Sequence, residues 1–290
     1  MGTQPNRLKL GGSRIACKNH PAKSDQKPPE ISPARRLEAW ENGEVIPTYN
    51  QLELLANAYR RPAITFLLPY IPKQSVQYAD FCTVSENKHA HHSPEFAAFL
   101  RQVTILQREL IPLVQEELSN PLPYVGSVKI NTFELSNFTI KNIADNIRNI
   151  LDISFEQQLK AHDPPELLRM LRERAESVGI FTLVAGDLGT HHTKISPEEF
   201  RGIALVNPFA PVIVVNPYDN KSARVFTFVH ELVHIWLGDG GISNVNEIDI
   251  FGQVNETEIF CNKVAVEFLM PEKYIESMWQ NQGQLTNYCK

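Results

Sequence analysis

The sequence predicts an α+β fold in which a small sheet precedes two helices, with a small all-α domain ahead of it. Three short β-branched runs, GIFTLVAG, FRGIALV and PVIVVN, are separated by Gly, Pro and Asn, and they predict the strands. The stretch VFTFVHELVHIWLG is apolar nearly all round, which predicts a buried helix. The 290 residues exceed the usual size of one domain, so two domains are expected.

The predicted N-terminal domain covers residues 1–70. The segment ISPARRLEAWENG predicts a short helix, because Pro33 suits a first turn and Gly43 suits the exit. A second helix is expected to begin at Thr48, which forms a capping-box pattern with Gln51 three residues later. Its apolar face is predicted to hold Leu52, Leu55, Ala58 and Tyr59.

Residues 71–92 are predicted to form a linker, and residues 93–290 form the larger domain. The tripeptide Ser-Pro-Glu at 93–95 is typical of a helix start. This helix should be kinked or interrupted at Pro112, because proline removes a backbone hydrogen bond. Further helices are predicted over residues 140–151 and 164–178.

Charge and cysteine content favour an ordinary reduced, water-soluble protein. The net charge of −5 gives no whole-chain signal for nucleic acid or for a membrane surface. Residues 1–61 hold ten Lys and Arg against six Asp and Glu, a local balance of roughly +4. The four cysteines form no CxxC pair, which is typical of reduced thiols in the cytosol. No stretch reaches the roughly 18 apolar residues of a membrane helix, so a cytoplasmic protein without a membrane partner is expected.

His230 and His234 lie four residues apart in the motif His-Glu-Leu-Val-His. On a helix this spacing puts both imidazoles on one face, where they can bind one ion. The flanking side chains are apolar, and polar groups in such a helix need partners. We therefore predict one zinc ion (Zn2+) per chain, chosen on ligand type. The alternative is a helix whose histidines are satisfied within an ordinary core.

A catalytic zinc ion usually takes three protein ligands and leaves one position to water. Glu258, about two dozen residues after the second histidine, is the predicted third ligand, because that separation allows a loop and a returning helix. Glu256, Glu247 and Asp249 lie in the same interval and remain alternatives. Asn262, one helical turn beyond Glu258, is predicted to support a metal ligand by a hydrogen bond.

Glu231 follows the first motif histidine and is predicted to flank the open coordination position. There its carboxylate can take a proton from water and pass it to a leaving amine, while the ion polarises the carbonyl. Peptide-bond hydrolysis is therefore the predicted reaction, with Glu231 as the catalytic base. The strand PVIVVN is predicted to pair with an extended substrate by β-augmentation.

The other histidine clusters give only a weak indication of metal binding. The cluster at 89–92 and the pair at 191–192 lie in polar, loop-like sequence, where solvated side chains are the usual outcome. Neither group is predicted to bind the metal. Tyr218 or one of these histidines is left open as the group that stabilises the oxyanion.

Three segments resemble the ImmA/IrrE family of metallo-endopeptidases over roughly residues 165–275: FRGIALVNPFAPVIVVN, ARVFTFVHELVHIWLG and EIFCNKVAVEFLMP. The resemblance implies a gluzincin-like zinc metallopeptidase domain. It also implies that His230, His234 and Glu258 bind zinc and that Glu231 is catalytic. Members of that family cleave helix-turn-helix repressors of mobile elements or stress responses, so a repressor or antitoxin-like protein is the expected substrate.

The segment RRLEAWENGEVIPTYNQLELLANAYRRP resembles the latter half of an Xre-type helix-turn-helix domain. This resemblance implies DNA as a partner, with Arg35 and Arg36 near the start of the recognition helix, where they can meet phosphates or base edges. The first two helices of that fold belong upstream, where the sequence is polar and carries Pro21, Pro28 and Pro29. Little regular structure is expected there, so the domain departs from the family's pattern.

These observations predict a cytoplasmic zinc endopeptidase that cleaves a regulatory protein. The alternative is a DNA-binding transcriptional regulator or antitoxin, in which the zinc site is structural or sensory and cleaves nothing. The sequence alone does not separate the two.

Overall fold

The computed structural model divides the chain into two compact units, Met1–Val76 and Gln77–Lys290. The predicted linker falls outside the described residues, so the predicted domain boundaries stay a prediction. The residues that the structure describes are 6–10, 13–17, 33–68, 93–129, 137–243 and 256–276.

The first unit begins with a β-hairpin. Strands β1 (Asn6–Leu10) and β2 (Ser13–Cys17) pair antiparallel, with Leu8 opposite Ile15. The expectation of an all-α domain with little regular structure upstream is therefore wrong for these two segments. The sequence carried the signal: Gly11-Gly12 separates two short runs that contain β-branched and apolar residues, and a two-residue glycine connection is typical of hairpins.

Helices α1 (Pro33–Glu41) and α2 (Tyr49–Ala58) and a 3₁₀ turn at Ala63–Leu67 complete the described part of this unit. The capping box is confirmed, because the Thr48 hydroxyl accepts from the Gln51 amide at 3.4 Å and the Thr48 amide donates to the Gln51 side chain at 2.9 Å. The small core consists of Trp40, Leu52, Leu55, Ala56 and Phe66.

The predicted apolar face of α2 is only half right. Leu52 and Leu55 are buried, whereas Ala58 and Tyr59 are exposed, and Ala56 is buried in their place. The helix ends at Ala58 and the chain turns at Arg60, whose φ is 49°, so the helical period does not continue to Tyr59.

The second unit is built on a four-stranded mixed sheet in the order β3-β5-β4-β6. Strand β3 runs parallel to β5, and β4 runs antiparallel to both β5 and β6. The three predicted runs form β3 (Phe181–Val184), β4 (Gly202–Leu205) and β5 (Val212–Val215), while β6 (Gly241–Ser243) was not predicted.

Both faces of the sheet are covered, which explains why β4 and β5 are buried at every position. One face carries Ile203, Leu205, Val212 and Val214, and packs under helix α3 (Pro94–Glu117). The opposite face carries Ala204, Ile213 and Val215, and belongs to the larger core formed with the remaining helices. Those helices are α4 (Asn137–Leu151), α5 (Phe155–Gln158), α6 (Pro164–Ser177), α7 (Lys221–Leu237) and α8 (Glu256–Leu269).

Helix α3 begins as predicted, with Ser93 capping the amide of Phe96. It lies against the sheet through aromatic contacts, since Phe96 and Phe99 each stack on Phe200 with ring centroids 5.4 Å apart. Pro112 does not interrupt it, because the helix continues to its last residue, Glu117. Across the stretches described, none of the helices combines the length and apolarity needed to cross a membrane.

Arg148 connects α4 to the end of α8. One guanidinium nitrogen donates to the carbonyl oxygens of Glu267 and Phe268 at 2.9 and 2.6 Å, and another donates to Asp145 at 2.9 Å. Carbonyl groups in the last turn of a helix have no partner within the helix, and a cation there also interacts favourably with the helix dipole. This buried arginine therefore fixes the position of α8.

Replacing Arg148 with Ala should lower the free energy of unfolding by about 2–3 kcal/mol, because three charge-assisted hydrogen bonds of a buried guanidinium group are lost at once. Urea denaturation measures this change in the free energy of unfolding, taken from the unfolding transition of the second unit. Arg169→Ala is the matched control: Arg169 pairs with Glu173 at the surface, with a side chain 60% exposed, and its loss should cost less than about 1 kcal/mol. Equal losses in the two variants would contradict the role given to Arg148.

Candidate metal centre

Helix α7 carries the HExxH motif in its second half and is buried on nearly all sides. Asn220 caps its start by accepting a hydrogen bond from the amide of Ser222 at 3.1 Å. His230, Glu231 and His234 are 4%, 0% and 3% exposed, so all three polar side chains lie within the core. Such groups destabilise a core unless each finds a partner.

Backbone groups from a distant loop complete the C-terminal end of α7. Gly238 adopts the left-handed conformation, with φ 73°, that commonly ends a helix. The amides of Gly126 and Val128 donate to the carbonyls of Ile235 and Trp236, each at 3.0 Å. A Cβ atom on Gly238 would come within 2.8 Å of the Cα atom of Gly126, so glycine is needed for this close approach.

Helix α8 brings Glu258 to the two histidines. Its carboxylate oxygens lie 3.0 Å from Nε2 of His230 and 3.4 Å from Nε2 of His234, and the two Nε2 atoms are 3.1 Å apart. The three side chains predicted as metal ligands therefore converge on one point. Among the alternatives, Glu256 is exposed at the start of α8, and Glu247 and Asp249 lie outside the described residues.

The other nitrogen of each imidazole ring is held by an oxygen atom. Nδ1 of His230 lies 2.9 Å from Oδ1 of Asn262, and Nδ1 of His234 lies 3.0 Å from the backbone carbonyl of Asp239. These oxygens accept, so each Nδ1 donates, and in the neutral ring each Nε2 carries a lone pair. Asn262 was predicted at this place from its spacing, whereas the carbonyl of Asp239 was not.

This donor set fits a metal ion. Two imidazole lone pairs and a carboxylate that face one another repel unless a cation or a proton lies between them. For bonds of about 2.0–2.1 Å, the ligand atoms of a tetrahedral zinc site are about 3.3 Å apart. The observed separations of 3.0, 3.1 and 3.4 Å are close to that value.

The electrostatics of the residues themselves also favour a positive charge at this point. Burial acts to raise the pKa of Glu258, but hydrogen bonds from His230 and His234 outweigh it, and the pKa of Glu258 lies well below its usual range. Burial acts to lower the pKa of His234, but hydrogen bonds with Cys261 and Glu258 outweigh it, and the pKa of His234 lies well above its usual value. Without a metal ion, a proton on the imidazoles therefore balances the anionic carboxylate, and in a metal-bound centre a cation would take the place of that proton.

Glu231 projects from α7 against strand β4. A Cβ atom at Gly202 would overlap Oε1 of Glu231 and the methyl group of Thr227, so the carboxylate packs directly on the backbone of the strand. This contact restricts where the carboxylate can lie. The sequence indicated the glutamate but not the glycine that makes room for it.

The predicted pairing of an extended substrate with PVIVVN is wrong. Strand β5 lies between β3 and β4, so both of its backbone edges are already used in the sheet. β-Augmentation requires a free strand edge. The position of the run next to α7 in sequence suggested an edge, but strand order is decided by pairing between distant segments.

The remaining predicted residues stay predictions. His191 and His192 lie exposed in a 3₁₀ turn with their rings 4.2 Å apart, and the cluster at 89–92 lies outside the described residues. The Tyr218 hydroxyl donates to Asp187, whose hydrogen bond raises the pKa of Tyr218. None of these observations assigns an oxyanion role.

The two arginines predicted to contact DNA both lie in α1. Arg36 is half-buried, and the side chain of Arg35 is outside the described part. DNA contact by this unit stays a prediction. If this unit binds DNA, a gel-shift assay should detect a complex that weakens as the salt concentration rises. Replacing both Arg35 and Arg36 with Ala should abolish that complex.

Cys261 is a feature of the centre that the sequence analysis missed. It is fully buried on α8, and its sulfur and the ligand nitrogens of His230 and His234 all lie within 4.8 Å of one another. Burial raises the pKa of the Cys261 thiol. The spacing offered a signal, because Cys261 follows Glu258 by three residues and so shares its helix face.

Residues 178–288 match the M78 peptidase family. The matched region is described as an IrrE N-terminal-like domain, and it contains the sheet, α7 and α8. No curated protein and no solved structure matches the chain. The family match supports the resemblance to ImmA/IrrE proteins and a metallopeptidase-type function, with a protein as the substrate. It does not reach the first unit.

Replacing Gly202 with Ala should destabilise the protein by about 1–3 kcal/mol, because the new methyl group overlaps Glu231 and Thr227. In a Glu231→Ala background, where the carboxylate is gone, the same substitution should cost about 1 kcal/mol less. Urea unfolding of the four proteins without added metal gives both costs. Identical costs in the two backgrounds would mean that the carboxylate does not rest on this strand.

Proposed function

We propose that this chain is a cytoplasmic zinc-dependent endopeptidase that cleaves a regulatory protein. His230, His234 and Glu258 hold one Zn2+ ion, and Glu231 is the catalytic base. The observation that carries the proposal is the convergence of three donor groups within 3.0–3.4 Å of one another on a buried helix pair. That pair lies inside the region that matches a peptidase family.

The imidazoles are oriented by their outer hydrogen bonds. Asn262 on α8 and the carbonyl of Asp239 beyond α7 each hold one Nδ1 atom, so both Nε2 atoms point to the same place. Partners of this kind fix the tautomer and the orientation of a metal-binding histidine. Zinc suits two imidazoles and a carboxylate, and three protein ligands leave a coordination position open.

A zinc ion held by these residues would supply Lewis-acid chemistry, polarising a scissile carbonyl group and lowering the pKa of the attacking water. Glu231 takes a proton from that water and delivers it to the nitrogen of the leaving amine. Close packing on the backbone of Gly202 limits the space open to the carboxylate during this transfer. Burial of the centre limits competing contact with bulk water, which strengthens the electrostatic interactions of the carboxylate.

The substrate proposed from the ImmA/IrrE resemblance is a helix-turn-helix repressor or an antitoxin-like protein. DNA contact through the first unit would place the enzyme near such a repressor, but hydrolysis does not depend on it. Within the described stretches, no contact favours the alternative of a DNA-binding regulator or antitoxin that holds zinc without cleavage. The product of a neighbouring gene is the first substrate to test.

Glu231→Gln should keep one zinc ion per chain and lower the rate of cleavage by about 100-fold or more, because the amide cannot accept the proton. The measurement combines metal analysis of the purified protein with the appearance of fragments from the candidate substrate. Fragments that persist at the wild-type rate in Glu231→Gln would remove Glu231 from the chemistry. Fragments absent from the wild type, with every candidate repressor and with zinc bound, would favour the regulator.

Glu258→Gln should lower the affinity for zinc sharply, because a neutral amide is a much weaker ligand than a carboxylate. Glu256→Gln is the matched control: it lies on the same helix, it is exposed, and it should keep both zinc and activity. Competition with a chromogenic chelator measures the two affinities. Full zinc affinity in Glu258→Gln, or its loss in Glu256→Gln, would reassign the third ligand.

A further inference from the structure

Cys261 occupies a position that the proposed peptidase mechanism does not use. It lies on α8 three residues after Glu258 and immediately before Asn262, the residue that holds His230. Residues at this spacing share one helix face, and that face packs on α7. The thiol is therefore held beside the metal-binding groups and not at the protein surface.

The distances leave room for a bond between sulfur and metal. Sγ of Cys261 and the ligand nitrogens of both histidines lie within 4.8 Å of one another. In a tetrahedral zinc site, with Zn–N bonds of about 2.0–2.1 Å and a Zn–S bond of about 2.3 Å, nitrogen and sulfur are about 3.6 Å apart. Separations near the 4.8 Å limit would shorten as the sulfur binds.

A buried cysteine is often no more than a small apolar side chain, and Cys261 also contributes to the larger core. Two features distinguish Cys261 from an ordinary cysteine of the core. Its neighbours include a ring nitrogen of each of the two histidines, and a cysteine thiolate is a soft ligand that suits zinc. The carboxylate of Glu258 lies on the same helix face, so one helix supplies both an oxygen and a sulfur donor.

We propose that Cys261 is a fourth protein ligand of the metal, which makes the resting centre a site of two nitrogen atoms, one oxygen atom and one sulfur atom. The thiol gives its proton to solvent as the sulfur binds. Zinc can expand to five ligands, so the water required for hydrolysis can still enter. This inference rests on the proposed function in one respect, that the centre binds a metal ion.

Cobalt(II) tests the inference, because a thiolate bound to Co2+ produces an intense charge-transfer absorption in the near ultraviolet that nitrogen and oxygen ligands do not produce. The protein used is the full chain in which Cys17, Cys82 and Cys289 are replaced by Ser, so that Cys261 is its remaining cysteine. One equivalent of Co2+ is added to the metal-free protein without oxygen. We expect one bound ion and the charge-transfer band.

The matched control adds Cys261→Ala to this same protein, so that no cysteine remains. It should still bind one Co2+ ion through the histidines and Glu258, without the band and with an affinity lowered about 10-fold or more. Circular dichroism checks that it folds. If it does not fold, the protein with Cys261 alone decides the question, because its spectrum needs no variant at that position.

The outcomes separate the two proposals. One bound Co2+ ion without a charge-transfer band in the protein that retains Cys261 would overturn the sulfur ligand and leave the peptidase proposal standing. An equal band after Cys261→Ala is added to that protein would also overturn it, since the absorption would not come from sulfur. A failure of both proteins to bind Co2+ or Zn2+ would overturn the metal centre itself.

Discussion

Two imidazoles and a carboxylate meet at one buried point between α7 and α8, and the packing of the second unit brings them together there. Apolar side chains surround α7 on nearly every side, so its polar residues have few partners on their own helix. Leaving such groups unpaired in a core costs several kcal/mol each. Glu258 on α8 supplies one negative charge, and in the proposed centre a metal ion would balance the set. The packing of α7 on α8 is therefore a condition of the site.

The two helices are held by contacts that lie outside the metal centre. The loop through Gly126 and Val128 completes the end of α7, and Arg148 binds the last carbonyls of α8. A metal site tolerates little displacement of its ligands, because bond lengths vary by only a few tenths of an ångström. These distant contacts give two helices from separate parts of the chain a fixed relative position. Stability and ligand geometry thus depend on the same hydrogen bonds.

Much of the candidate metal centre could be predicted because the features that define it depend on residues close together in sequence. The spacing of His230 and His234 defines a helix face, and the capping signals at Thr48 and Ser93 mark helix starts within a few residues. Predictions failed where a local turn was missed or where the outcome depended on distant partners. The exposed end of α2 followed from a turn at Arg60, and the interior position of β5 followed from pairing with two other strands.

The sequence by itself determined the candidate ligands, their spacing along two helices and the three main strands, because these follow from residue type and from periodicity over a few residues. Only the tertiary structure decided that the carboxylate of Glu258 meets both imidazoles, that Gly202 makes room for Glu231, and that Cys261 lies beside the ligands. The β-hairpin formed by β1 and β2 had a signal in the sequence, the Gly11-Gly12 turn, but the polar, proline-containing segment around it favoured irregular structure instead. The physical reason for the division is that helix faces are set by neighbours in sequence, whereas contacts between elements are set by how their buried faces fit together.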